Sequence, residues 1–255
     1  SIGNEMIIGL TGTYAAGKGT VAEYLIGKGF QYYSLSDELR LLLREKGIPA
    51  TRDNLTKAGN ELRRKYGPDF LAELAIKRLR GAPSVASAVV DSIRNPGEIN
   101  ALREFRNFYL VSVDAPVDIR YGRARKRGSE RDPKSFSEFL VQEKREMAGK
   151  ETDQQLAACI KSADFTVNNY ADYKNLYKGI EKTLDSIRVK VAATAAAAAT
   201  RRPGRPRVQR RAGGAGLRAG RRGLHSGRGD TVAEGRAEDT GPCGRFAKAG
   251  RGPEG

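Results

Sequence analysis

The chain has 255 residues, 39% of them apolar, and 46 Lys and Arg against 30 Asp and Glu, for a net charge of +16. One histidine, His225, and two cysteines, Cys159 and Cys243, exclude a disulfide framework, a thiolate zinc site and a histidine-based triad or metal centre in the first 190 residues. No secretory signal or twenty-residue apolar span is present, so no membrane partner is expected and a cytoplasmic setting fits best.

Short apolar runs alternate with longer helical ones from residue 6 to about 188. "MIIGLTG" (6–12) is a strand, followed by a helix over 18–28. "FQYYSLS" (30–36) is a second strand, and "DELRLLLREKG" a helix closed by Gly47. Residues 51–80 read as two helices. "SVASAVVDS" (84–92) and "FYLVSVD" (108–114) are strands, and Pro116 opens the helical run "VDIRYGRARKRG". A polar helix over 135–148 follows, then the strand "ADFTVNN" (163–169) and a last helix over 170–187. Strands separated by helices need crossover connections, so the pattern predicts a five-stranded parallel sheet in a three-layer α/β/α sandwich. The two helices of 51–80 form an excursion between strands.

Gly12-Thr13-Tyr14-Ala15-Ala16-Gly17-Lys18 fits the G-x-x-x-x-G-K frame of a P-loop, directly after a strand and directly before a helix. Glycines let the backbone wrap an anion, successive N–H groups point inward, and the helix adds the positive end of its dipole. Gly12, Thr13, Ala15, Ala16, Gly17, Lys18, Gly19 and Thr20 are therefore the expected polyphosphate site. Lys18 reaches the terminal phosphates as a point charge. Gly19 stands where a strict P-loop has Ser or Thr, and the hydroxyl comes one place later at Thr20.

"GKGT" in this loop, "SLSDELR" after the second strand, "VVDSIRNPGEINAL" and "ADFTVNNYADYKNL" occur in the order found in adenylate kinases, and "GLTG" is the form of dephospho-coenzyme A kinases. Over residues 6–188 the chain resembles the P-loop nucleoside monophosphate kinase superfamily. The resemblance extends to the kinase-like domain fused to deoxycytidylate deaminases. It implies ATP and Mg2+ as cofactors and transfer of the γ-phosphoryl group to a small-molecule acceptor. By that resemblance Arg40 and Arg94 bind the acceptor phosphate and Arg63 closes over the acceptor. Asp37 takes a proton from the acceptor hydroxyl, although it and Ser36 also compete to cap the following helix. Asp91 and Thr20 hold Mg2+, the carboxylate through water. The run over 120–134 corresponds to a lid. Helical spacing puts Arg120, Arg123 and Arg127 on one face, and a water-excluding arginine clamp there stabilises the transferred group. Asn169 borders the adenine. The alternative implied by the deaminase-fused relatives is a nucleotide-binding regulatory module without turnover. The chain lacks the zinc ligands of a deaminase.

Composition changes at about residue 190. Residues 1–190 carry a net charge of +7 with all ten Tyr and every Ile, whereas residues 191–255 carry +9 with 13 Arg to one Lys. The segment over 191–255 is expected to be disordered, its arginine bias suggesting a coding origin outside selection for a fold. Its basic charge is expected to give nonspecific nucleic-acid contact.

Overall fold

The computed structural model describes residues 6–82, 87–129 and 132–200. In chain order the elements are β1 (Ile7–Thr11), α1 (Lys18–Gly27), β2 (Gln31–Ser34), α2 (Asp37–Glu45), α3 (Arg52–Tyr66), α4 (Phe70–Arg80) and β3 (Ala88–Asp91). There follow α5 (Pro96–Leu102), β4 (Phe108–Asp114), α6 (Val117–Arg127), α7 (Phe136–Met147), α8 (Leu156–Lys161), β5 (Phe165–Asn168) and α9 (Tyr173–Thr200). The five strands form one parallel sheet in the order β2-β3-β1-β4-β5. β1 is central: Ile8 pairs with Val89 on one side and Tyr109 on the other.

Alternation along the strands sorts side chains into two layers, because successive residues of a strand point to opposite faces. Ile7 and Val90 join Leu39, Leu71, Ile76 and Leu102 from α2, α4 and α5. Ile8, Leu10 and Val89 join Val21 and Leu25 of α1 and Leu176, Ile180 and Leu184 of α9. Fully buried on both faces, β1 and β3 are apolar up to their last residues, Thr11 and Asp91, as covered parallel strands are. The chain leaves β1 toward β3 and β2 and later returns to β4 on its other side. The crevice at the carboxyl end of β1 is therefore where the strand order reverses, the place where open α/β sheets receive ligands.

Three features depart from the expected elements. α5 and α8 are additional short helices. α5 starts at a capping box: Asn95 accepts from the Gly97 N–H at 2.7 Å, Glu98 accepts from the Asn95 N–H at 3.0 Å, and Pro96 occupies the first turn. α9 runs to Thr200, ten residues beyond the expected boundary at 190. Val191 is buried on the stripe that contains Ile180, Leu184 and Ile187, and the alanines after it have the highest helix propensity. The rest of the expected disordered segment, residues 201–255, and residues 130–131 of the expected lid lie outside the described residues.

α4 shares the core with the sheet, whereas α3 carries its polar face toward the crevice. Two buried ion pairs fix α3, Arg52 with Glu146 of α7 and Arg63 with Glu98 of α5. Arg63, 1% exposed, meets the fully buried Glu98 of α5 with Nε and Nη2 at 2.8 and 2.7 Å from the same carboxylate oxygen. The other oxygen accepts from the Arg94 and Asn95 N–H groups at 2.7 and 3.0 Å. Removing the negative charge leaves a buried guanidinium without a counter-ion. Glu98→Gln is expected to cost about 3–5 kcal/mol of unfolding free energy, measured by urea denaturation.

Candidate nucleotide and acceptor site

Between β1 and α1 the chain turns through Gly12 at φ 131°, Ala15 at φ 61° and Gly17 at φ 104°. Two of these positions admit no side chain. A Cβ on Gly12 would lie 2.2 Å from the Val113 carbonyl oxygen of β4, and one on Gly17 would lie 2.0 Å from Asn169 Nδ2. Asn169 follows β5, and its amide donates to the Ala16 carbonyl at 2.8 Å. Arg123 of α6 clasps the same corner, donating to the Asn169 carbonyl at 2.7 Å and the Ala16 carbonyl at 3.3 Å. The loop is thus packed against β4 and hydrogen-bonded to Asn169 and to α6, and α1 follows its N-cap Gly17 without any side-chain cap or acidic residue in its first turn. Its first N–H groups, which have no intrahelical partner, face the loop's concavity. Thr13 Oγ1 is buried there without a hydrogen-bond partner. This is a nest for an anion.

Lys18 Nζ lies across the loop, 2.7 Å from the Gly12 carbonyl and 3.0 Å from that of Thr13. Burial, reinforced by the Arg94 guanidinium, lowers the ammonium to about 8, with Asp91 and Glu146 acting in the opposite sense. In front of it opens a cleft of about 500 Å³ whose walls include Lys18, Thr20, Asp91, Arg123 and Arg127. Asp91 ends β3, where its Oδ1 accepts from the Ser92 N–H at 2.6 Å and its Oδ2 from Tyr32 at 3.2 Å. Burial and the Asp91 charge push the Tyr32 phenol up to about 12, so it remains a donor. Ser92 adopts φ 68°, a left-handed conformation unusual for serine.

A second, smaller cavity of about 40 Å³ lies between α2, α3 and the loop after β3. Leu35, Leu39, Leu55 and Leu71 form its apolar wall, and Arg40, Arg52, Arg63 and Arg94 bring guanidiniums to it. Cleft and cavity share Tyr14, Arg40, Ser92 and Arg94. They are two chambers with one common wall.

A family model described as AAA domain matches residues 8–151, from β1 to just beyond α7. The chain is 30% identical over 186 residues to a UPF0200 protein of Pyrococcus horikoshii, covering 71% of this chain and 97% of that one. It is 29% identical over 181 residues to one from Methanoculleus marisnigri, covering 70% and 94%. The chain belongs to the AAA domain family and to UPF0200. Among solved structures, TT1252 from Thermus thermophilus is similar at 22% identity and a TM-score of 0.47, covering 72% of this chain and 98% of that one. The P-loop, kinase-like fold of this UPF0200 chain is carried by its own sheet order and loop.

The expected site residues separate into three groups. Gly12, Thr13, Ala15, Ala16, Gly17, Lys18, Gly19, Thr20, Arg40, Asp91, Arg94 and Asn169 sit on the loop or around the two chambers. Arg123 and Arg127 also border the cleft, but Arg127 is tied to Asp132 and donates to the Tyr14 hydroxyl at 2.9 Å. Burial opposes ionisation of Asp132, yet hydrogen bonds from Arg127, Ser129 and Tyr14 hold its carboxyl far below the usual range.

Three residues do not take their expected parts. Arg120 faces the interior, donating to the Ala115 carbonyl at 2.8 Å and pairing with Glu143 of α7. The first turn of α6 packs on α7, so the expected three-arginine clamp is not formed. Arg63 borders the cavity, but Glu98 locks it, and it is not a residue free to close over an acceptor. Asp37 has a side chain 49% exposed and pairs with Arg40 at 3.0 Å, outside both chamber walls. Ser36 is the N-cap residue of α2, without a side-chain capping bond.

Arg52, Glu98, Glu146 and Tyr14 were missed. The Asn-Pro-Gly-Glu spacing of a capping box was a legible signal for Glu98. For Arg52 and Glu146, 94 positions apart, the sequence carries no local signal.

Gly17 and Gly19 provide a paired test, since a Cβ on Gly19 meets nothing within 4 Å. Gly17→Ala is expected to destabilise by about 1–2 kcal/mol or more from its left-handed backbone and the displaced Asn169. Gly19→Ala is expected to stabilise by about 0.5 kcal/mol, both read by urea denaturation.

Proposed function

We propose that the chain is an ATP-dependent phosphotransferase that moves a γ-phosphoryl group to a small acceptor. The observation that carries this reading is the shared wall: an anion nest and a cationic, partly apolar cavity meet at Tyr14, Arg40, Ser92 and Arg94. A donor and an acceptor held in the two chambers approach each other there.

The residues present fit a nucleoside triphosphate with Mg2+. The nest offers unpaired backbone N–H groups, the orphaned Thr13 hydroxyl and the Lys18 ammonium, and Asn169 and Arg123 flank the end of the loop where a base would extend. The Thr20 hydroxyl and Asp91 carboxylate would hold Mg2+, which supplies charge neutralisation between the phosphates. Asp91 is kept in place by Ser92 and Tyr32. Lys18 and Arg94 present fixed positive charge to the shared wall, so little reorganisation is needed when negative charge moves across it. Arg123 and Arg127 on α6 border the same space and limit water at the donor side. The acceptor's hydroxyl is oriented by the cavity rather than deprotonated by Asp37, which lies outside it.

The acceptor cavity is small and bordered by arginines most of whose charge is paired within the protein, an arrangement that suits a compact acceptor. A regulatory module that binds nucleotide without turnover is the competing reading, and kinetics separate the two. Lys18→Met is expected to lower kcat by about three orders of magnitude or more, because the ammonium acts on the transferred group. The variant should keep its Tm, since burial disfavours the charge it removes. ADP formation with a panel of nucleotides, nucleosides and dephospho-coenzyme A measures it, and nucleotide binding with no ADP formed from any acceptor would overturn the proposal.

The Lys18 ammonium also sets a pH dependence. Its ordinary value is 10.5, and in the free protein it is lowered to about 8, so the charge is complete below that pH and is lost as pH rises through it. Polyphosphate affinity is expected to be flat from pH 6 to 7 and to fall above pH 8 in calorimetric titrations with ADP. In Lys18→Met this decline should be absent.

A further inference from the structure

Arg52 is the first residue of α3, following the N-cap Thr51, and is only 4% exposed. Two costs meet at this position. A buried guanidinium has lost its hydration, and the N-terminus of a helix is the positive end of its dipole, where a cation is disfavoured. Glu146 of α7 answers part of the charge, accepting from Arg52 Nε at 2.7 Å and from Nη2 at 3.0 Å. The remaining nitrogen, Nη1, is buried and has no hydrogen-bond partner. Buried donors are almost always paired, so an orphan on a residue that lines the cavity calls for an acceptor atom.

The surroundings identify that acceptor as anionic. Arg94 comes within 3.5 Å of the same Glu146 carboxylate, so one negative side chain is shared between two guanidiniums. Arg63 is neutralised separately by Glu98, and Arg40 by Asp37. One positive charge among Arg52, Arg94 and Glu146 is left without an opposite. The face of Arg52 is covered by Tyr14, whose ring centroid lies 4.0 Å from the guanidinium carbon, and by Phe139 at 5.3 Å. These rings fix its plane and leave an edge as the way to bind a ligand. Tyr14 belongs to the glycine loop, so the orphan donor stands beside the shared wall.

We infer that Arg52, with Arg94, forms an anion subsite for the acceptor, receiving a phosphoryl or carboxylate oxygen at Nη1. Glu146 is a positioning residue that holds the two guanidiniums together and limits the acceptor's anchoring group to little more than one net negative charge. Arg52 thereby selects acceptors that carry an anion as well as the hydroxyl to be phosphorylated. The inference rests on the phosphotransferase reading for the acceptor's role, but the subsite itself is testable without turnover.

Inorganic phosphate titrated into the full chain by calorimetry is the direct probe. Two sites are expected: one in the glycine loop, lost in Lys18→Met, and one in the cavity, retained in that variant. Arg52→Met/Glu146→Leu removes both members of the buried pair, whose apolar replacement is usually tolerated, and leaves the partly exposed Arg94 as the remaining charge of the three. In this double variant the cavity site should weaken roughly tenfold or more while the loop site is unchanged, the loss expected for a charged hydrogen bond. If that variant does not fold, Arg52→Lys retains the charge but not the Nη1 donor and should show the same selective weakening. Acetate competing with phosphate at the cavity site alone would assign a carboxylate-bearing acceptor, and no competition a phosphoryl one. Phosphate binding at a single site lost with Lys18, or two sites unaffected by either Arg52 variant, would overturn the subsite. In the unsubstituted chain, a cavity site with no loop site would instead count against the nucleotide reading alone.

Discussion

The site depends on a contact where no side chain can exist. β4 and the residue after β5 press against the glycine loop at Gly12 and Gly17 so closely that a single methyl group would collide with the Val113 carbonyl or the Asn169 amide. That proximity holds the loop open toward α1, because the chain can bend around the anion position only if its outer side is bare. Everything downstream follows from the fixed bend: the direction of α1, the place of Lys18 over two loop carbonyls, and the orientation of Tyr14 toward α3, α6 and α7. The nest is held by β4 packed against Gly12 and by hydrogen bonds from Asn169 and α6, all far from it in sequence.

A second constraint sets the acceptor side. Four arginines converge where the apolar walls of α2, α3 and α4 leave a small cavity, and like charges at such a distance repel strongly in a low-dielectric interior. The fold accommodates them by assigning most of the charge to internal carboxylates. Glu98 serves Arg63, Glu146 serves Arg52 and Arg94, and Asp37 serves Arg40 at the rim. Glu98 does more than balance charge, since it also caps α5 and fixes the backbone of Arg94. The capping box at Asn95 thereby connects helix initiation to the position of a site arginine.

Much of this was legible in the sequence, for identifiable reasons. The parallel sheet and its order of elements follow from apolar runs such as "MIIGLTG" and "FYLVSVD", whose period and burial are local properties. The loop was legible because glycine spacing, a lysine and a strand-to-helix transition are adjacent in the chain. Asp91 was visible as a charge at the end of an apolar run, and Arg94 through the resemblance of "VVDSIRNPGEINAL" to adenylate kinases. What remained hidden depends on tertiary partners. Arg120 shares a helical face with Arg123 and Arg127, but only the folded chain shows Glu143 drawing it inward. Arg63 and Arg52 both read as polar residues on an amphipathic helix, and nothing nearby in sequence separates a locked arginine from one with a free donor. The continuation of α9 to Thr200 was obscured by low complexity, although an alanine run following an apolar helical stripe is itself a good helix.

The central claim is that the glycine loop binds a polyphosphate, and the most direct measurement is a calorimetric comparison of adenosine, AMP, ADP and ATP, each with Mg2+, on the full chain. Affinity should rise steeply once two or three phosphates are present, with one nucleotide bound per chain at the loop. Equal affinity for adenosine and ATP, or no binding by any of the four, would contradict it.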